Sequence, residues 1–481
     1  MKVVLIAAPI MDYNHEGQLI PKGMDALRAC PSYGVCLLAA ILQSKGYDVV
    51  LADLIAQGSA NLWPYLADIN DCSLVGIGTS TLSWPAAIDV IKAIRLIRND
   101  VPIVLGGIHP TMFDGYILKK FPVQYVIRGE GEGALVSLCD NLENTKGLKH
   151  VPNLSWISNY GEIIRNPIAP AISGDELGSL PLPDYDSLPL KVYHYLPIES
   201  SRGCANDCSF CSSSYRRSWR SISAERFVDR LEGTMKYLDR TLSEEIQIVD
   251  DEFSTDPKRA IEIARIIRER RIKPKIRYCS RATDLLVDGF IENIADITSS
   301  VFVGAECGYN EGLKNIGKGI TCQTLEAAAG KLEENHIGER AIFSFIVGFP
   351  WETRLEVEKT IHFAFRLISR YGISATIQWY IPLPGSRLWH KARSSQIFNE
   401  SMYDRYGFDH DVYLFRGGLK LNPKEIWDIS DMILAEEQQY HGQEKIMYSV
   451  PEAIIRYFPR ELLSQEGHEL ANLRELSLSV H

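Results

Sequence analysis

Short apolar runs alternate with amphipathic segments over the first 130 residues. Their continuous apolar character predicts strands that are buried on both faces. The runs cover residues 3–7, 49–52, 74–78, 103–105 and 125–127. The clearest amphipathic segment begins at Pro85, and its apolar residues recur at helical spacing as far as Ile97. Strands that alternate with helices predict a doubly wound, flavodoxin-like parallel sheet of five strands.

A second strand-and-helix alternation begins at Leu196 and repeats about six times, which predicts a partial (β/α)6 barrel. Its strand cores lie near residues 246–249, 276–278, 300–304, 342–347 and 375–379. Between the two regions, a small hairpin is predicted over 153–167, and dense proline then indicates an extended connector. The predicted domains are therefore 1–145, a linker over 146–194, the barrel over 195–395, and a mainly helical tail over 396–481, with a helix start at Asn422.

Three glycine-bearing polar turns follow the third, fourth and fifth predicted strands. Ligands of doubly wound sheets bind beyond the carboxyl ends of the strands, and glycines let backbone amides approach a ligand closely. The candidate cofactor-binding residues in these turns are Thr79, Ser80, Gly106, Gly107, His109 and Glu130. Tight turns that bind nothing are the alternative interpretation.

Composition narrows the class of protein. The chain has 481 residues, 46% of them apolar and 23% charged, as is ordinary for a globular protein. Its net charge of −10 gives no overall electrostatic reason to bind nucleic acid or an anionic membrane. No apolar run approaches the ~20 residues that cross a bilayer, and residues 1–8 are interpreted as a buried strand rather than a signal peptide. We therefore expect a cytoplasmic protein.

Three of the ten cysteines form one tight cluster, Cys204, Cys208 and Cys211, with the spacing Cys-x3-Cys-x2-Cys. Three thiolates within eight residues can ligate three irons of a 4Fe–4S cluster and leave the fourth iron open to a small molecule. The alternative is structural zinc, which takes four ligands, usually from paired Cys-x2-Cys units. No second pair exists in the chain. The remaining cysteines are interpreted as small buried apolar residues.

The cysteine cluster and the strings that follow it resemble the radical S-adenosylmethionine superfamily. The string over 33–40, the Gly-Gly-x-His-x-Thr turn at 106–111 and the Arg-Gly-Glu-Gly-Glu turn at 128–132 resemble the cobalamin-binding domain that precedes many of these enzymes. One departure is the lack of an Asp-x-His-x-x-Gly string, by which some cobalamin proteins supply a cobalt ligand. An axial role for His109, and a domain that has lost the cofactor, both stay open.

The resemblance implies roles for particular residues in binding S-adenosylmethionine. Phe210 is implied beside the adenine, and Asp250, Asp251 and Glu252 around the methionyl amine. Arg281 is implied at the carboxylate, Glu306 near the nucleoside, and Gly348 against the adenine. The alternatives are a solvated acidic turn at 250–252 and a buried ion pair of Glu306, with Arg281 as the expected partner.

The same resemblance implies the chemistry. A 5′-deoxyadenosyl radical would abstract hydrogen from an unactivated C–H bond, and cobalamin would carry a methyl group to the substrate. Methylation of an unactivated carbon centre is the leading hypothesis, with a small-molecule substrate and a reducing partner such as flavodoxin or ferredoxin. Radical oxidative cyclisation, rearrangement or carbon–carbon bond formation on a cofactor, lipid or natural-product precursor is the first alternative. A non-catalytic iron–sulfur or corrinoid-binding protein is the second.

Overall fold

A computed structural model describes residues 1–14, 18–21, 29–144, 146–394, 399–408, 418–440, 443–451, 454–455 and 458–460. The chain forms two compact units. The first contains Met1–Ile198, Ser221–Val249 and Glu400–Tyr406, and the second contains Glu199–Arg220, Asp250–Asn399 and the described residues from Gly407 onward. Each unit is therefore assembled from separated stretches of the chain.

The strands in chain order are β1 (Lys2–Ala7), β2 (Met11–Tyr13), β3 (Leu19–Pro21), β4 (Asp48–Asp53), β5 (Leu74–Gly78), β6 (Ile103–Gly106), β7 (Tyr125–Ile127), β8 (Leu154–Ile157), β9 (Ile163–Arg165), β10 (Tyr195–Ile198), β11 (Ser201–Arg202), β12 (Arg220–Ser221), β13 (Glu245–Ile248), β14 (Ile276–Ser280), β15 (Thr298–Glu306), β16 (Ala341–Val347), β17 (Ser374–Trp379) and β18 (Ile446–Met447).

The α-helices are α1 (Tyr33–Ser44), α2 (Leu54–Gln57), α3 (Leu66–Asp71), α4 (Trp84–Ile97), α5 (Ile108–Lys120), α6 (Glu132–Asp140), α7 (Gly174–Ser179), α8 (Ala224–Met235), α9 (Pro257–Glu269), α10 (Ala282–Leu285), α11 (Phe290–Ile294), α12 (Asn310–Asn315), α13 (Cys322–Glu334), α14 (Arg354–Tyr371), α15 (Arg387–Ser394) and α16 (Pro423–Gln438). Single 3-10 turns cover Trp63–Tyr65, Leu148–His150, Leu190–Val192, Leu238–Arg240, Phe253–Thr255, Gly338–Arg340 and Glu400–Tyr403.

The first unit is built on a seven-stranded sheet with the order β4-β1-β5-β6-β7-β8-β9. The five predicted parallel strands are all present, so the doubly wound prediction is confirmed. The sheet is larger than the five parallel strands that the sequence predicts, because the hairpin β8–β9 adds two strands by antiparallel pairing with β7. Without it, β7 would leave a row of unpaired backbone groups at the sheet edge.

The centre of this sheet is apolar on both faces, as the continuous runs predict. Val3, Val4 and Ile6 of β1 are fully buried, and β1 lies between β4 and β5. From β1 the chain first adds β4 on one side and then β5 on the other, so the order in which strands are added reverses beside β1. Open α/β sheets form a ligand crevice at such a point.

In the second unit, β14, β15, β16 and β17 pair in parallel, and the short β18 pairs with β17. Strands β10 and β13 form a parallel pair in the first unit. The predicted strand cores of the barrel region all coincide with observed strands. Helix α14 begins with a capping box of Thr353 and Glu356, and α16 begins with one of Asn422 and Glu425, where the helix start is predicted.

The tail is partly helical within its described part, where α16 is its longest element. Residues 461–481, for which the sequence predicts helical or frayed structure, lie outside the described residues. Of the helices that the structure describes, none combines the length and the apolar character needed to cross a membrane.

Candidate functional site

The three clustered cysteines lie in one loop of the second unit. The backbone N–H of Cys204 donates to the carbonyl of Tyr215 at 3.1 Å, and the N–H of Cys211 donates to the carbonyl of Cys208 at 3.2 Å. These bonds fold residues 204–215 into a closed loop, which we call the cysteine loop. In the described part of the chain, no three His, Cys, Asp or Glu side chains are arranged to hold a single metal ion.

Each sulfur of the cysteine loop has a nitrogen donor. The backbone N–H groups of Asn206 and Ser213 point at the sulfurs of Cys204 and Cys211, each at 3.4 Å. Nη1 of Arg281 lies 3.9 Å from Sγ of Cys208. Hydrogen bonds of this kind stabilise sulfur that carries negative charge in a metal centre.

Beside Cys208 lies a buried set of two carboxylates and two cations. Nζ of Lys318 lies 2.8 Å from Oε1 of Glu306, and both side chains are less than a tenth exposed. The guanidinium of Arg281 donates to the carbonyl of Lys318, and its backbone N–H donates to Oε1 of Glu252 at 3.1 Å. We call these four residues the charged quartet.

The ion-pair partner expected for Glu306 is wrong, since the partner is Lys318 and not Arg281. Sequence reasoning missed Lys318 altogether, although a lysine between Gly317 and Gly319 is a signal that a close approach to the backbone is needed.

Glu306 ends β15 at a register shift with a φ of 66°, an unusual value for a residue other than glycine. Burial raises the pKa of Glu252 to about 7.

The other two predicted carboxylates, Asp250 and Asp251, accept hydrogen bonds from serine residues of this chain. Asp250 accepts hydrogen bonds from the backbone N–H of Ser200 at 2.7 Å and from the hydroxyls of Ser200 and Ser201 at 2.6 Å each. Asp251 is exposed and accepts from the hydroxyl of Ser213 at 3.1 Å. Asp250 therefore holds the segment just before the cysteine loop, and Asp251 holds Ser213 within the loop. Glu252 is the one of the three that joins the charged quartet.

An aromatic cluster packs next to the cysteine loop. The rings of Phe349 and Trp351 stack at 4.9 Å and 4°, and the ring of Phe210 meets Phe349 edge-on at 6.1 Å. Tyr380 packs on Phe349 at 5.1 Å. The predicted residues Phe210 and Gly348 are thus brought to one place.

Glu352, which is fully buried, holds the turn after β16. Its Oε2 accepts the backbone N–H groups of Gly348 at 2.7 Å and Phe349 at 3.0 Å, and its Oε1 accepts the hydroxyl of Tyr309 at 2.9 Å. Burial raises the pKa of Glu352 to about 7. A side chain added at Gly348 would meet the ring of Trp379 at 2.9 Å, so only glycine fits this turn without displacement.

The predicted turns of the first unit lie next to one another at the carboxyl ends of β5, β6 and β7. The N–H of Thr79 donates to the carbonyl of Gly106 at 3.0 Å. The hydroxyl of Thr111 donates to the carbonyl of Gly107 and accepts the N–H of Gly129, at 2.8 and 3.0 Å. The five residues therefore connect the three turns into one edge.

Ser80 and Glu130, two further predicted residues of this unit, form hydrogen bonds within the unit. The hydroxyl of Ser83 lies 2.9 Å from the N–H of Ser80 and 3.0 Å from Oγ1 of Thr79. Oε2 of Glu130 accepts the backbone N–H of Ile172 at 2.9 Å. The carboxylate of Glu130 thereby fixes the segment that leads into α7.

His109 is fully buried among aromatic rings. It stacks on Trp84 at 4.8 Å and 23° and meets the edges of Phe113 and Tyr403 at 4.8 and 6.0 Å. Neither ring nitrogen has a hydrogen-bond partner among the described residues. Burial lowers the pKa of His109 to about 3, which keeps the ring neutral at physiological pH.

Two family models and several known proteins are similar to this chain. Residues 198–364 match the model of the radical SAM superfamily, and residues 26–139 match that of the B12 binding domain. An uncharacterized methyltransferase of Pyrococcus horikoshii is 32% identical over 392 residues, which cover 78% of this chain and 81% of the relative. An anaerobic magnesium-protoporphyrin IX monomethyl ester cyclase of Rubrivivax gelatinosus is 26% identical over 402 residues, which cover 79% of this chain and 69% of the relative.

Among solved structures, the cobalamin-dependent S-adenosylmethionine radical enzyme OxsB, with aqua-cobalamin and S-adenosylmethionine bound, has a TM-score of 0.69 at 17% identity. The match covers 91% of this chain and 71% of that one. The two family models and the Pyrococcus relative together establish the family. This chain belongs to the radical SAM superfamily and carries a B12 binding domain ahead of its radical SAM region.

Proposed function

We propose that this enzyme uses a 4Fe–4S cluster, S-adenosylmethionine and cobalamin to methylate an unactivated carbon centre of a small molecule. The observation that carries the proposal is the charged quartet beside Cys208, in the unit that holds the cysteine loop. The methionyl end of S-adenosylmethionine has an ammonium and a carboxylate on one carbon. A site that offers carboxylates and cations side by side complements both.

The residues of the cysteine loop fit an iron–sulfur cluster. The three sulfurs each have a nitrogen donor at 3.4 to 3.9 Å, and hydrogen bonds to the sulfur ligands tune the reduction potential of a bound cluster. Burial raises the pKa of the Cys211 thiol, so a free thiolate is disfavoured and a metal centre would have to displace the proton. Cys204, Cys208 and Cys211 would hold the cluster.

Within the charged quartet we assign roles by charge. Glu252 and Glu306 would accept the ammonium, and Arg281 and Lys318 would face the carboxylate. Asp250 and Asp251 keep the cysteine loop in place, and Glu352 keeps the turn at Gly348 open for the adenine beside Phe210. These residues bind and orient, while the buried rings of Phe349 and Tyr380 exclude water from the reacting atoms.

The first unit fits a large cofactor at the turns after β5 and β6. A side chain added at Gly106 would meet no atom within 4 Å, so open space lies beside this residue. Thr79, Ser80 and Gly107 line the same edge and would hold cobalamin. His109 is enclosed by aromatic rings, so we assign it to packing rather than to cobalt. When bound, the cluster supplies the electron that cleaves S-adenosylmethionine, and cobalamin supplies the methyl carrier.

The similarity to a cyclase favours a second candidate, radical oxidative cyclisation or rearrangement with the same cluster. The 26% identity to that enzyme extends over 79% of this chain. The two reactions differ in one product, because methyl transfer converts S-adenosylmethionine to S-adenosylhomocysteine. For either reaction we propose a cytoplasmic location, where a flavodoxin or ferredoxin would supply electrons and where the ten cysteines would stay reduced.

The test is anaerobic reconstitution with iron, sulfide and hydroxocobalamin, followed by assays for bound iron, bound cobalt and reductant-dependent 5′-deoxyadenosine. We expect about four irons and one cobalt per chain, in keeping with one cluster and one cofactor. Cys208→Ala should lose the brown absorption and 5′-deoxyadenosine formation. Cys322→Ala, which changes a half-buried cysteine at the start of α13, is the matched control and should retain both.

Retention of 5′-deoxyadenosine formation by Cys208→Ala would overturn the cluster assignment. Protein that carries the cluster but retains no cobalt would overturn the methylation proposal and favour cyclisation. Formation of S-adenosylhomocysteine, once a substrate is found, would favour methylation over the second candidate.

A further inference from the structure

We propose that Glu252 and Asp284 hold one proton between them, shared through the hydroxyl of Ser254. This makes Ser254 and Asp284 positioning residues, which set the charge that Glu252 presents to a ligand. The inference rests on the proposed function in one respect, because that function assigns the ammonium of S-adenosylmethionine to Glu252. The sharing itself follows from the contacts among the three side chains.

The three side chains come together from two segments of the second unit. Glu252 and Ser254 lie in and beside the 3-10 turn Phe253–Thr255, and Asp284 lies on α10, which follows β14. Ser254 is fully buried, Glu252 is 5% exposed, and Asp284 is half-buried. Because charge is costly where water has little access, the number of protons that this group holds matters to its environment.

The hydroxyl oxygen of Ser254 has three oxygen neighbours at hydrogen-bond distance. Oε1 of Glu252 lies at 2.7 Å, Oγ of Ser280 at 2.8 Å, and Oδ2 of Asp284 at 2.9 Å. Each of these three contacts needs one proton between its two oxygens. The hydroxyls of Ser254 and Ser280 supply one proton each. The third proton therefore has to come from a carboxyl group.

Ser280 does not relieve the shortage. Its hydroxyl also lies 3.2 Å from the carbonyl oxygen of Arg281, and a proton donated there is lost to Ser254. Two ionised carboxylates would leave at least one buried contact as two facing lone pairs, which is unfavourable. One carboxyl proton completes all three contacts, since a hydroxyl can accept two hydrogen bonds while it donates one.

Each carboxyl group has one further donor, so neither is the obvious owner of the proton. The backbone N–H of Arg281 donates to Oε1 of Glu252 at 3.1 Å, and the hydroxyl of Thr283 donates to Oδ1 of Asp284 at 2.9 Å. Among the described residues, the cations that face both carboxyl groups are Arg281 and Lys318. Burial raises the pKa of Glu252 to about 7 and also raises the pKa of Asp284. The proton therefore belongs to the pair.

The shared proton makes the charge of the site match that of a zwitterion. With one proton, Glu252 and Asp284 together carry one negative charge, and Glu306 carries another. Arg281 and Lys318 carry two positive charges, so the charged quartet with Asp284 has no net charge. The methionyl end of S-adenosylmethionine, with one ammonium and one carboxylate, has no net charge either. A fully ionised pair would leave an excess negative charge in a buried place.

When an ammonium approaches Glu252, the proton can move without leaving the pair. The O–H bond of Glu252 breaks as its proton passes to the oxygen of Ser254, and the hydroxyl proton of Ser254 passes to Asp284. Glu252 becomes a carboxylate, Asp284 becomes a neutral acid, and Ser254 is regenerated. No proton is exchanged with solvent, and no further reactant is needed.

Infrared difference spectroscopy of the reconstituted enzyme tests the proposal, because the carbonyl stretch of a carboxylic acid is separate from that of a carboxylate and shifts in D2O. The test variants are Glu252→Gln and Asp284→Asn, which keep the shape of each side chain and remove one carboxyl group. The matched control is Glu262→Gln, which removes a carboxylate that is 44% exposed and pairs with Arg265 on α9. Circular dichroism and bound iron verify that each variant is folded and loaded.

At neutral pH, we expect a carboxylic acid band in the unaltered enzyme that both test variants lack. Removal of either carboxyl group leaves the other with enough hydroxyl protons for its contacts, and it should therefore ionise. The control should retain the band. Addition of S-adenosylmethionine to the unaltered enzyme should shift the band without removing it.

Retention of the band by folded Asp284→Asn would place the proton on Glu252 alone, and retention by folded Glu252→Gln would exclude Glu252 as its holder. Either result overturns the sharing, so each variant is a test by itself. Loss of the band on addition of S-adenosylmethionine would overturn the transfer within the pair. A band that S-adenosylmethionine leaves unshifted would instead count against the proposed function, and the comparison of variants without this ligand would still test the shared proton.

Discussion

At the scale of single residues, the buried pair of Glu306 and Lys318 has a large energetic consequence. Taking two charges out of water costs several kcal/mol for each ion, and this cost is offset only while the partners stay together. The cost of losing one partner therefore exceeds the net value of the pair. A ligand with two opposite charges would exploit such a pair, because it can exchange contacts with either member.

Lys318→Met tests this pair, because it leaves the carboxylate of Glu306 buried without its cation. We expect the transition of the second unit to be destabilised by about 3 kcal/mol in thermal or urea unfolding of the metal-free protein. The double variant Glu306→Gln/Lys318→Met removes both charges and should recover at least half of that loss. If Lys318→Met alone unfolds like the unaltered protein, the pair does not exist in solution.

At the scale of residues, the sequence predicts which side chains could ligate a metal centre better than it predicts which side chains pair with one another. Cysteine spacing identifies Cys204, Cys208 and Cys211 because their neighbours in the chain are also their neighbours in space. The partner of Glu306 lies twelve residues later, across a turn whose path the sequence does not specify. Asp250 looks like a ligand for an amine by its position after a strand, but it binds Ser200 and Ser201, fifty residues earlier.

At the scale of elements, the turn after β6 requires glycine at one of two adjacent positions. Gly107 has φ 106° and ψ −176°, and a side chain there would lie 2.2 Å from the carbonyl oxygen of Thr79. Gly106 precedes it and has open space around it. The two glycines are adjacent in the sequence, but an added side chain would clash at Gly107 and would have open space at Gly106.

We expect Gly107→Ala to lower the melting temperature of the first unit, with a cost of about 2–4 kcal/mol from backbone strain and from the clash with Thr79. Gly106→Ala is the matched control and should change stability by less than about 1 kcal/mol. Because its added methyl group enters the open space, Gly106→Ala should instead weaken retention of hydroxocobalamin. Equal melting temperatures for the two variants would contradict the turn geometry.

Strands that are buried on both faces are predicted well, because a short continuous apolar run is typical of such a strand. The hairpin β8–β9 is predicted as an element, but its place at the edge of the sheet is not, since periodicity does not specify a pairing partner. Helix α7 is missed because nearby prolines favour an extended chain. Its start carries a capping box of Ser173 and Glu176, a local signal that outweighs them.

At the scale of the whole molecule, the first unit takes in a short segment from far along the chain. Residues Glu400–Tyr406 belong to this unit although 150 residues separate them from its preceding stretch. Asp404 accepts hydrogen bonds from Nε1 of Trp84 at 2.8 Å and from the hydroxyl of Tyr116, and it pairs with Nζ of Lys120 at 2.7 Å. Local sequence patterns carry no information about a contact at such a distance.

This segment stabilises α4 and α5, because Asp404 satisfies donors on both. Asp404→Ala leaves the indole N–H of the fully buried Trp84 without its acceptor, which should cost about 1–3 kcal/mol. We expect faster hydrogen exchange in peptides from residues 84–97 and 108–120, measured by mass spectrometry, with the second unit unchanged. Asp428→Ala, which removes an exposed carboxylate that pairs with Arg354 in the second unit, is the matched control and should leave both peptides protected. Unchanged exchange in Asp404→Ala would mean that α4 and α5 do not depend on the carboxylate of Asp404.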